Sequence, residues 1–323
     1  MTGLLAAIAA AGITLPHVLR LQRVHPVTAV VLWLSSLALR ALTGVLAVIL
    51  LLFFLPRTDV FMAVTHWCLN ASLPFAGGGL HVEGHGLADR ALFVPGAALG
   101  MSLLYACYET ARSARQARHL VEHEVLGHGP RESLIVGGSD VLFAVAGLVH
   151  PRIVVSAGAL TSLDDDELEA ALDHERAHIV RRHRFVMLLA VAFAALGRAV
   201  PGAQRAVREL CFQLERDADR WALRQRNDRL ALASVICKAA TTGAIASPAL
   251  ATLGSSGVRE RLAQLLDEHP RKQAGPIVAA LNALATAMVL CTLVLAAVVP
   301  NAAAAGLGVD AHRGHHAGHC HHR

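Results

Sequence analysis

Four long apolar stretches constrain this chain more than any other feature of its sequence. A helix needs about 20 consecutive apolar residues to cross the hydrocarbon core of a bilayer, with a range of roughly 17 to 25. The stretches occupy residues 4–19, 27–55, 91–108 and 277–299, and the first is marginal in length. Charged residues make up only 16% of the chain, compared with about 25% in soluble domains. The sequence therefore predicts a mainly α-helical membrane protein with about four transmembrane helices.

The distribution of basic residues predicts how these helices are oriented. Lysine and arginine accumulate on the cytoplasmic side of membrane helices. Here they lie between the first two stretches, after the third and before the fourth: Arg20, Arg23, Arg112, Arg115, Arg118, Arg271 and Lys272. This pattern predicts that residues 20–26 and 109–276 are cytoplasmic, whereas the N-terminus, the 56–90 loop and the C-terminal tail lie outside. The N-terminus lacks the features of a cleaved signal peptide, so we expect a retained multi-pass protein of the cell membrane.

The formal net charge of +5 raises the question of a nucleic-acid partner. The arginines flank the apolar stretches, so the expected partner is membrane lipid, with no direct contact to nucleic acid. The chain then divides into a membrane region with three spans, a cytoplasmic domain, a fourth span and a His-rich tail, at residues 1–118, 119–272, 273–300 and 301–323.

The cytoplasmic block differs in character from the apolar stretches and is predicted to be an α+β domain. Short β-rich runs bounded by glycine and proline predict three strands, at residues 133–136, 141–146 and 152–156. Asp164 and Glu167 have the spacing of a capping box and predict the start of a helix. An apolar run follows at 185–196, which is too short to span a bilayer and favours a buried or re-entrant helix. Further helices are predicted at about 203–225, 230–242 and 258–266.

The predicted helix that starts near Asp164 carries the sequence His-Glu-Arg-Ala-His at residues 174–178. Four residues on a helix bring His174 and His178 to the same face one turn apart, where both imidazoles can bind one Zn²⁺. Glu175 lies on a slightly rotated face and can serve as the base that takes a proton from water. A helix surface that happens to carry histidine, glutamate and arginine is the alternative interpretation of this short pattern.

A second predicted helix offers the carboxylate that such a site needs. Glu215 is the candidate third metal ligand, and Asp219, four residues later on the same face, is placed to accept a hydrogen bond from a ligand imidazole. A solvated helix with paired acids and bases is the alternative. Asp217 faces elsewhere and is a weaker candidate. His183 is predicted to lie on a helix surface rather than to bind metal.

These residues carry a resemblance to a known family. The stretches PRIVVS at 151–156, LDDDEL at 163–168, LDHERAH at 172–178 and ExxxD at 215–219 resemble the BlaR/MecR-type membrane metallopeptidases. They are more distantly similar to the HtpX and CAAX-prenyl peptidases. The resemblance covers about residues 130–265. It implies a gluzincin-like zinc peptidase domain between spans three and four, with His174, His178 and Glu215 as zinc ligands and Glu175 as catalytic base.

The resemblance also implies a biological role, which is the site-specific proteolysis of a cytoplasmic transcriptional repressor. The β-lactam sensors of this family carry a large extracellular penicillin-binding domain after the last span. This chain has about 23 residues there, so sensing of β-lactams by that domain is not expected. Two alternatives remain open: an HtpX-like peptidase for quality control in the membrane, and a metal-responsive membrane sensor whose zinc site is not catalytic.

A second group of histidines lies on the predicted exterior. His81 and His85 flank Glu83 in the 56–90 loop, and the tail carries a dense histidine cluster that includes His315, His316, His319, His321 and His322. Histidine-rich tracts bind transition metals. One hypothesis is that an external metal ion contacts both segments and signals through the spans. The alternative is a solvated loop and a polar tail with no such role.

Overall fold

A computed structural model describes most of the membrane region and the central domain. The described residues are 2–19, 21, 24–53, 85–147, 150–225, 228–241, 257–267, 276 and 278–294. His81 and the tail histidines lie outside them, and only the backbone of His85 is described, at the start of a helix. The hypothesis of an external metal site therefore stays a prediction.

Four helices correspond to the apolar stretches of the sequence. They are α1 (Thr2–Val18), α2 (Pro26–Phe53), α3 (His85–His123) and α10 (Val278–Val294). Within the described ranges, one helix is both long and apolar enough to cross a membrane, Pro26–Leu52 in α2. Helices Ala9–Val18 and Val278–Val294 are apolar but shorter. The fold is mainly helical as predicted, and the number of four spans stays a prediction.

Helix α3 connects the membrane region to the central domain. Its 39 residues extend about 58 Å at 1.5 Å per residue, which is nearly twice the thickness of the hydrocarbon core. Exposed apolar side chains such as Phe93, Met101 and Leu104 lie on its first half. Ala117 and Val121, on its second half, pack against the sheet of the central domain. The predicted span at 91–108 is thus part of a longer helix that leads directly into the sheet.

The central domain contains a four-stranded sheet. Its strands are β1 (Val125–His128), β2 (Leu134–Val136), β3 (Phe143–Ala146) and β4 (Arg152–Ser156), in the order β1-β2-β4-β3. Strands β2 and β4 are parallel, whereas the β1–β2 and β3–β4 pairs are antiparallel. The three predicted strands are confirmed, and β1 was not predicted. Strand β3 is an edge strand of the sheet, next to the helix that carries the His-Glu pair.

The described residues of the central domain also form six α-helices. They are α4 (Ala157–Ser162), α5 (Asp165–Val180), α6 (His183–Leu196), α7 (Ala203–Arg224), α8 (Arg229–Thr241) and α9 (Val258–Leu265). The predicted capping box is confirmed, since Asp164 accepts from the amide of Glu167 at 2.8 Å and Glu167 accepts from the amide of Asp164 at 3.0 Å. The cap fixes where α5 begins, and α5 then packs against both α7 and α8.

Glu167 also joins α5 to α8. Its buried carboxylate accepts hydrogen bonds from Ser234 and Lys238, both at 2.6 Å. Burial by itself would raise the pKa of Glu167, but the bonds from Lys238 and Ser234 outweigh burial and lower it. The contact therefore stabilises the fold while Glu167 is ionised.

Helices α6 and α7 pack along α2, and they share one hydrophobic core with it. The apolar run predicted at 185–196 as a buried or re-entrant helix forms α6, and the turn after it approaches α2 closely. Gly197 lies against Arg40, where a β-carbon would come within 2.8 Å of Cβ of Arg40. The helix that carries Glu215 is thus packed directly against the apolar helix α2.

Arg40 lies near the middle of α2 and is 1% exposed. Its guanidinium donates to the carbonyls of Pro201 at 3.2 Å, Ser36 at 3.1 Å and Ile13 at 3.1 Å. It also contacts Nε2 of His17 at 2.6 Å. An ionisable side chain at this depth in an apolar helix is costly unless every donor has a partner. Arg40 therefore ties together α1, α2 and the turn between α6 and α7.

We expect Arg40→Met to lower the thermal midpoint of the purified protein by several degrees. The variant leaves the carbonyl of Pro201 without this donor, at about 1–3 kcal/mol for a buried group left unpaired. Differential scanning fluorimetry in detergent measures the change. Arg198→Met, at an exposed arginine, is the matched control. Equal midpoints for the two variants would contradict the assigned role of Arg40.

A second prediction concerns pH. The stabilisation from ionised Glu167 is present above the unfolded-state pKa of about 4.3 and is lost as the pH falls through the lower folded-state value. Glu167→Gln should therefore lower the thermal midpoint at pH 7, and the difference from wild type should shrink below about pH 4. Glu122→Gln, at an exposed position of α3, should show no such pH-dependent difference. If Glu167→Gln and wild type differed in thermal midpoint by the same amount at neutral and at acidic pH, ionised Glu167 would not be the source of the difference.

Candidate metal centre

Helices α5 and α7 pack side by side and bring three ligand groups together. His174 and His178 lie one turn apart on α5, and Glu215 lies on α7. Nε2 of His174 is 3.3 Å from Nε2 of His178 and 3.4 Å from Oε2 of Glu215. Nε2 of His178 is 3.6 Å from Oε1 of Glu215. The structure thus places the three predicted ligands around one point, although Glu215 is far from the histidines in sequence.

The spacing of these atoms fits a tetrahedral zinc ion. Ligands that each lie 2.0–2.1 Å from zinc in tetrahedral geometry are about 3.3 Å from one another. The observed separations of 3.3, 3.4 and 3.6 Å are close to this value. Two imidazoles and one carboxylate are also a donor set that zinc uses when one position is left for water. Within the described parts of the chain, this is the group of His, Cys, Asp or Glu side chains able to hold a metal ion.

The outer nitrogen of His174 faces Asp219 on α7. Nδ1 of His174 lies 3.0 Å from Oδ1 of Asp219, which is 4% exposed. A carboxylate in this position orients the ring and directs the other nitrogen toward a metal ion. The structure therefore brings Asp219 to the place predicted for it from the i, i+4 spacing.

Arg261 on α9 binds both carboxylates of α7, and sequence analysis did not identify it as part of the site. It donates to the two oxygens of Asp219 at 2.8 and 2.7 Å, and its Nη1 lies 2.9 Å from Oε2 of Glu215. Its side chain is 10% exposed. Two carboxylates this close together need a cation to remain ionised in a buried site. Nothing in the local sequence around Arg261 indicates that α9 folds back onto α7.

His183 corrects one prediction. It was expected on a helix surface, but it is 4% exposed and its Nδ1 lies 3.0 Å from Nδ1 of His178. The reason is a break in the helix, because α5 ends at Val180 and Arg182 adopts a left-handed conformation with φ of 54°. The chain turns there, so the angular spacing of a continuous helix does not apply to His183.

Asp217 and Arg181 complete this side of the site. Oδ2 of Asp217 is 3.3 Å from Nε2 of His183, and Arg181 donates to both oxygens of Asp217 at 2.8 and 2.9 Å. Burial opposes ionisation of Asp217, but these contacts outweigh it and hold its pKa below the ordinary value. Asp217 does face away from the Glu215 side of α7, as predicted. It contacts His183, which in turn contacts His178.

The electrostatics of the site differ between the two imidazoles. Burial opposes protonation of both, but at His174 the contacts with Asp219 and Glu215 outweigh burial and raise the pKa to about 10. At His178 burial prevails and lowers the pKa to about 3. Burial also opposes ionisation of Glu215, yet Arg261 and the histidines hold its pKa well below the ordinary value. The group thus holds a proton near neutral pH where a metal cation would bind.

Glu175 follows the first histidine on α5 and is partly exposed. Burial raises the pKa of its carboxyl group above the ordinary value, with an opposing effect of His174 and a further increase from the negative charge of Glu215. A carboxylate with a raised pKa beside a metal centre is suited to accept a proton from water and to release it later. Glu175 does not belong to the group of side chains that could hold one metal ion, which is His174, His178 and Glu215.

Comparisons with known proteins find similarity to peptidases. The family model described as BlaR1 peptidase M56 matches residues 136–265, which contain the three candidate ligand residues, Glu175 and Arg261. A protein named Protease HtpX homolog, from Methanopyrus kandleri, is 42% identical to this chain over 57 residues. That segment spans 18% of this chain and 18% of the relative. The two matches support a membrane metallopeptidase, and more generally a protease.

Arg261 offers a test of the site's electrostatics. Arg261→Gln removes the cation shared by Glu215 and Asp219, and loss of one partner from a buried ion pair costs about 3–5 kcal/mol. We expect a lower thermal midpoint without metal and a larger increase on zinc addition than in wild type, because zinc supplies the missing positive charge. Thermal unfolding with and without zinc measures both effects.

Arg259→Gln, at an exposed position of the same helix, is the matched control. If zinc raised the thermal midpoint of Arg261→Gln no more than that of this control, the role of Arg261 as a shared cation would be contradicted.

Proposed function

We propose that this chain is a membrane-bound zinc endopeptidase with Glu175 as its general base. The observation that supports this most strongly is the convergence of His174, His178 and Glu215: their two Nε2 atoms are 3.3 Å apart, and each lies 3.4–3.6 Å from one oxygen of the Glu215 carboxylate. Two of these residues come from α5 and one from α7, so the arrangement depends on the packing of two helices. A solvated helix surface would not bury His174 to 9% exposure.

Each residue has a defined task in this proposal. A bound zinc ion would act as a Lewis acid. It would polarise the peptide carbonyl and lower the pKa of a water molecule to about 7. His174, His178 and Glu215 would hold it, which leaves one coordination position open toward the substrate. The carboxylate of Glu175 takes a proton from the attacking water and delivers it to the leaving nitrogen. Arg261 directs its donors at Glu215 and Asp219, so it acts as their counter-ion.

The edge strand β3 offers a place for an extended substrate. It pairs with β4 on one side and is the last strand of the sheet in the described structure. It also lies against α5, the helix that carries His174 and Glu175. A peptide that adds to a sheet edge forms main-chain hydrogen bonds and presents alternate side chains to the protein. We infer that a protein substrate binds along β3 with its scissile bond above the metal centre.

The biological role is part of the proposal, and the comparisons support two candidates for it. The match to the BlaR1 peptidase model favours regulated proteolysis of a cytoplasmic DNA-binding repressor, with the protein acting as a signal transducer. The basic residues that flank the apolar stretches support a cytoplasmic active site. The match to a protein named Protease HtpX homolog favours a second candidate, a quality-control peptidase of the membrane. The two roles differ in the range of substrates that is cleaved.

The decisive test is Glu175→Ala. We expect loss of proteolysis by about 10²–10⁴-fold, which is the usual contribution of a general base, and unchanged binding of one zinc ion at the site. Cleavage is measured on a panel that contains a candidate repressor and several unfolded membrane proteins, with purified protein in nanodiscs. Glu260→Ala, at an exposed glutamate of α9, should remain active.

The outcomes of this test separate the candidates. Cleavage of the repressor alone supports the regulatory role, and cleavage of many membrane proteins supports quality control. If wild type and Glu175→Ala cleaved the panel equally, the protease proposal would be refuted, and a non-catalytic metal sensor would be the remaining candidate. Removal of zinc by a chelator should abolish activity, and re-addition of zinc should restore it.

A further inference from the structure

The two histidines of the metal centre differ in what holds their outer nitrogens. His174 faces a carboxylate, with Nδ1 at 3.0 Å from Asp219. His178 instead faces a third imidazole, since its Nδ1 lies 3.0 Å from Nδ1 of His183. The rings of His178 and His183 are nearly perpendicular, with an interplanar angle of 81°. The support of His178 therefore comes from a residue that the proposed mechanism does not use.

His183 is itself held from its far side. Its Nε2 is 3.3 Å from Oδ2 of Asp217, and both oxygens of Asp217 accept from Arg181. His183 and Asp217 are 4% and 3% exposed. A continuous line of contacts thus runs from His178 through His183 and Asp217 to Arg181.

The position of protons along this line follows from metal binding. A metal ion binds a lone pair on Nε2 of His178, so the proton of that neutral ring is on Nδ1 and can be donated. Nδ1 of His183 must then accept it, which puts the proton of neutral His183 on Nε2, where Asp217 accepts. Each contact thus has one donor and one acceptor, and the order is compatible only with Nε2 of His178 facing the metal.

We propose that His183 is a positioning residue for His178, which fixes the tautomer and the ring orientation that zinc binding needs. This inference rests on the proposed metal centre. His183 is not a fourth ligand, because its Nδ1 faces His178 and its Nε2 faces Asp217. The turn at Arg182, with φ of 54°, is the local feature that brings His183 back to the site.

The test compares two substitutions in the full-length protein in detergent. His183→Phe keeps a ring of similar shape but removes both nitrogens. We expect it to weaken zinc binding by about 10–100-fold, as is typical when the partner of a ligand histidine is lost. His183→Gln retains an oxygen that can accept from His178 and an amide that can donate to Asp217, so it should keep most of the affinity.

Zinc affinity is measured by competition with a chromophoric chelator. His174→Ala defines the zinc bound elsewhere, including by other histidines of the chain, and this contribution is subtracted. His119→Phe, at an exposed histidine of α3, is the matched control and should bind as wild type does. If His183→Phe fails to fold, Asp217→Asn tests the same contacts from their far end, and we expect it to weaken zinc binding.

Three results would overturn the inference. The first is an unchanged zinc affinity in the tested variant. The second is an equal loss in His183→Phe and His183→Gln, which would assign the effect to packing rather than to hydrogen bonding. The third is a loss of zinc affinity in the His119→Phe control as large as that in His183→Phe. Absence of His174-dependent zinc binding in wild type would instead refute the metal centre itself.

Discussion

The structure of the central domain depends on three carboxylates of α7, two of them buried and one partly exposed, and on the cations and imidazoles that surround them. The three carboxylates are two residues apart along α7, at Glu215, Asp217 and Asp219. Each of them contacts a side chain from another segment. Ionised carboxylates are too costly to bury unless they are paired and hydrogen-bonded. The partners come from α5, from the turn after it and from α9, so the same ion pairs that make burial possible also align the helices. These contacts converge at the candidate metal centre.

Helix α7 has a second role, because it is packed along the apolar helix α2. Arg216, between Glu215 and Asp217, donates to the carbonyl of Val24 at 3.4 Å. The turn that precedes α7 is held by Arg40 through the carbonyl of Pro201. The helix that carries Glu215 is therefore attached at two points to the N-terminal helical region.

Much of the candidate site could be predicted from the sequence, because its main signals are local. His174 and His178 are one turn apart on a helix whose start is marked by a capping box, and Asp219 is one turn after Glu215. Such spacings determine a shared face before any tertiary contact forms. The prediction for His183 was wrong because it assumed a continuous helix through Arg182. Arg261 was not identified because its contacts join segments that are distant in sequence and carry no periodic signal.

The sequence by itself determined the apolar character of α2, the start of α5 and the residue types that can bind a metal. These properties depend on composition and on spacings within one or two helical turns, which the chain expresses wherever it folds. Only the tertiary structure decided that Glu215 meets the two histidines, that His183 turns inward, and that Arg261 and Arg40 tie α9 and α2 to the same assembly. Those contacts depend on how helices pack and on one left-handed residue at Arg182. Helix packing depends on burial and charge pairing between segments that are distant in sequence. A local sequence pattern does not specify those contacts.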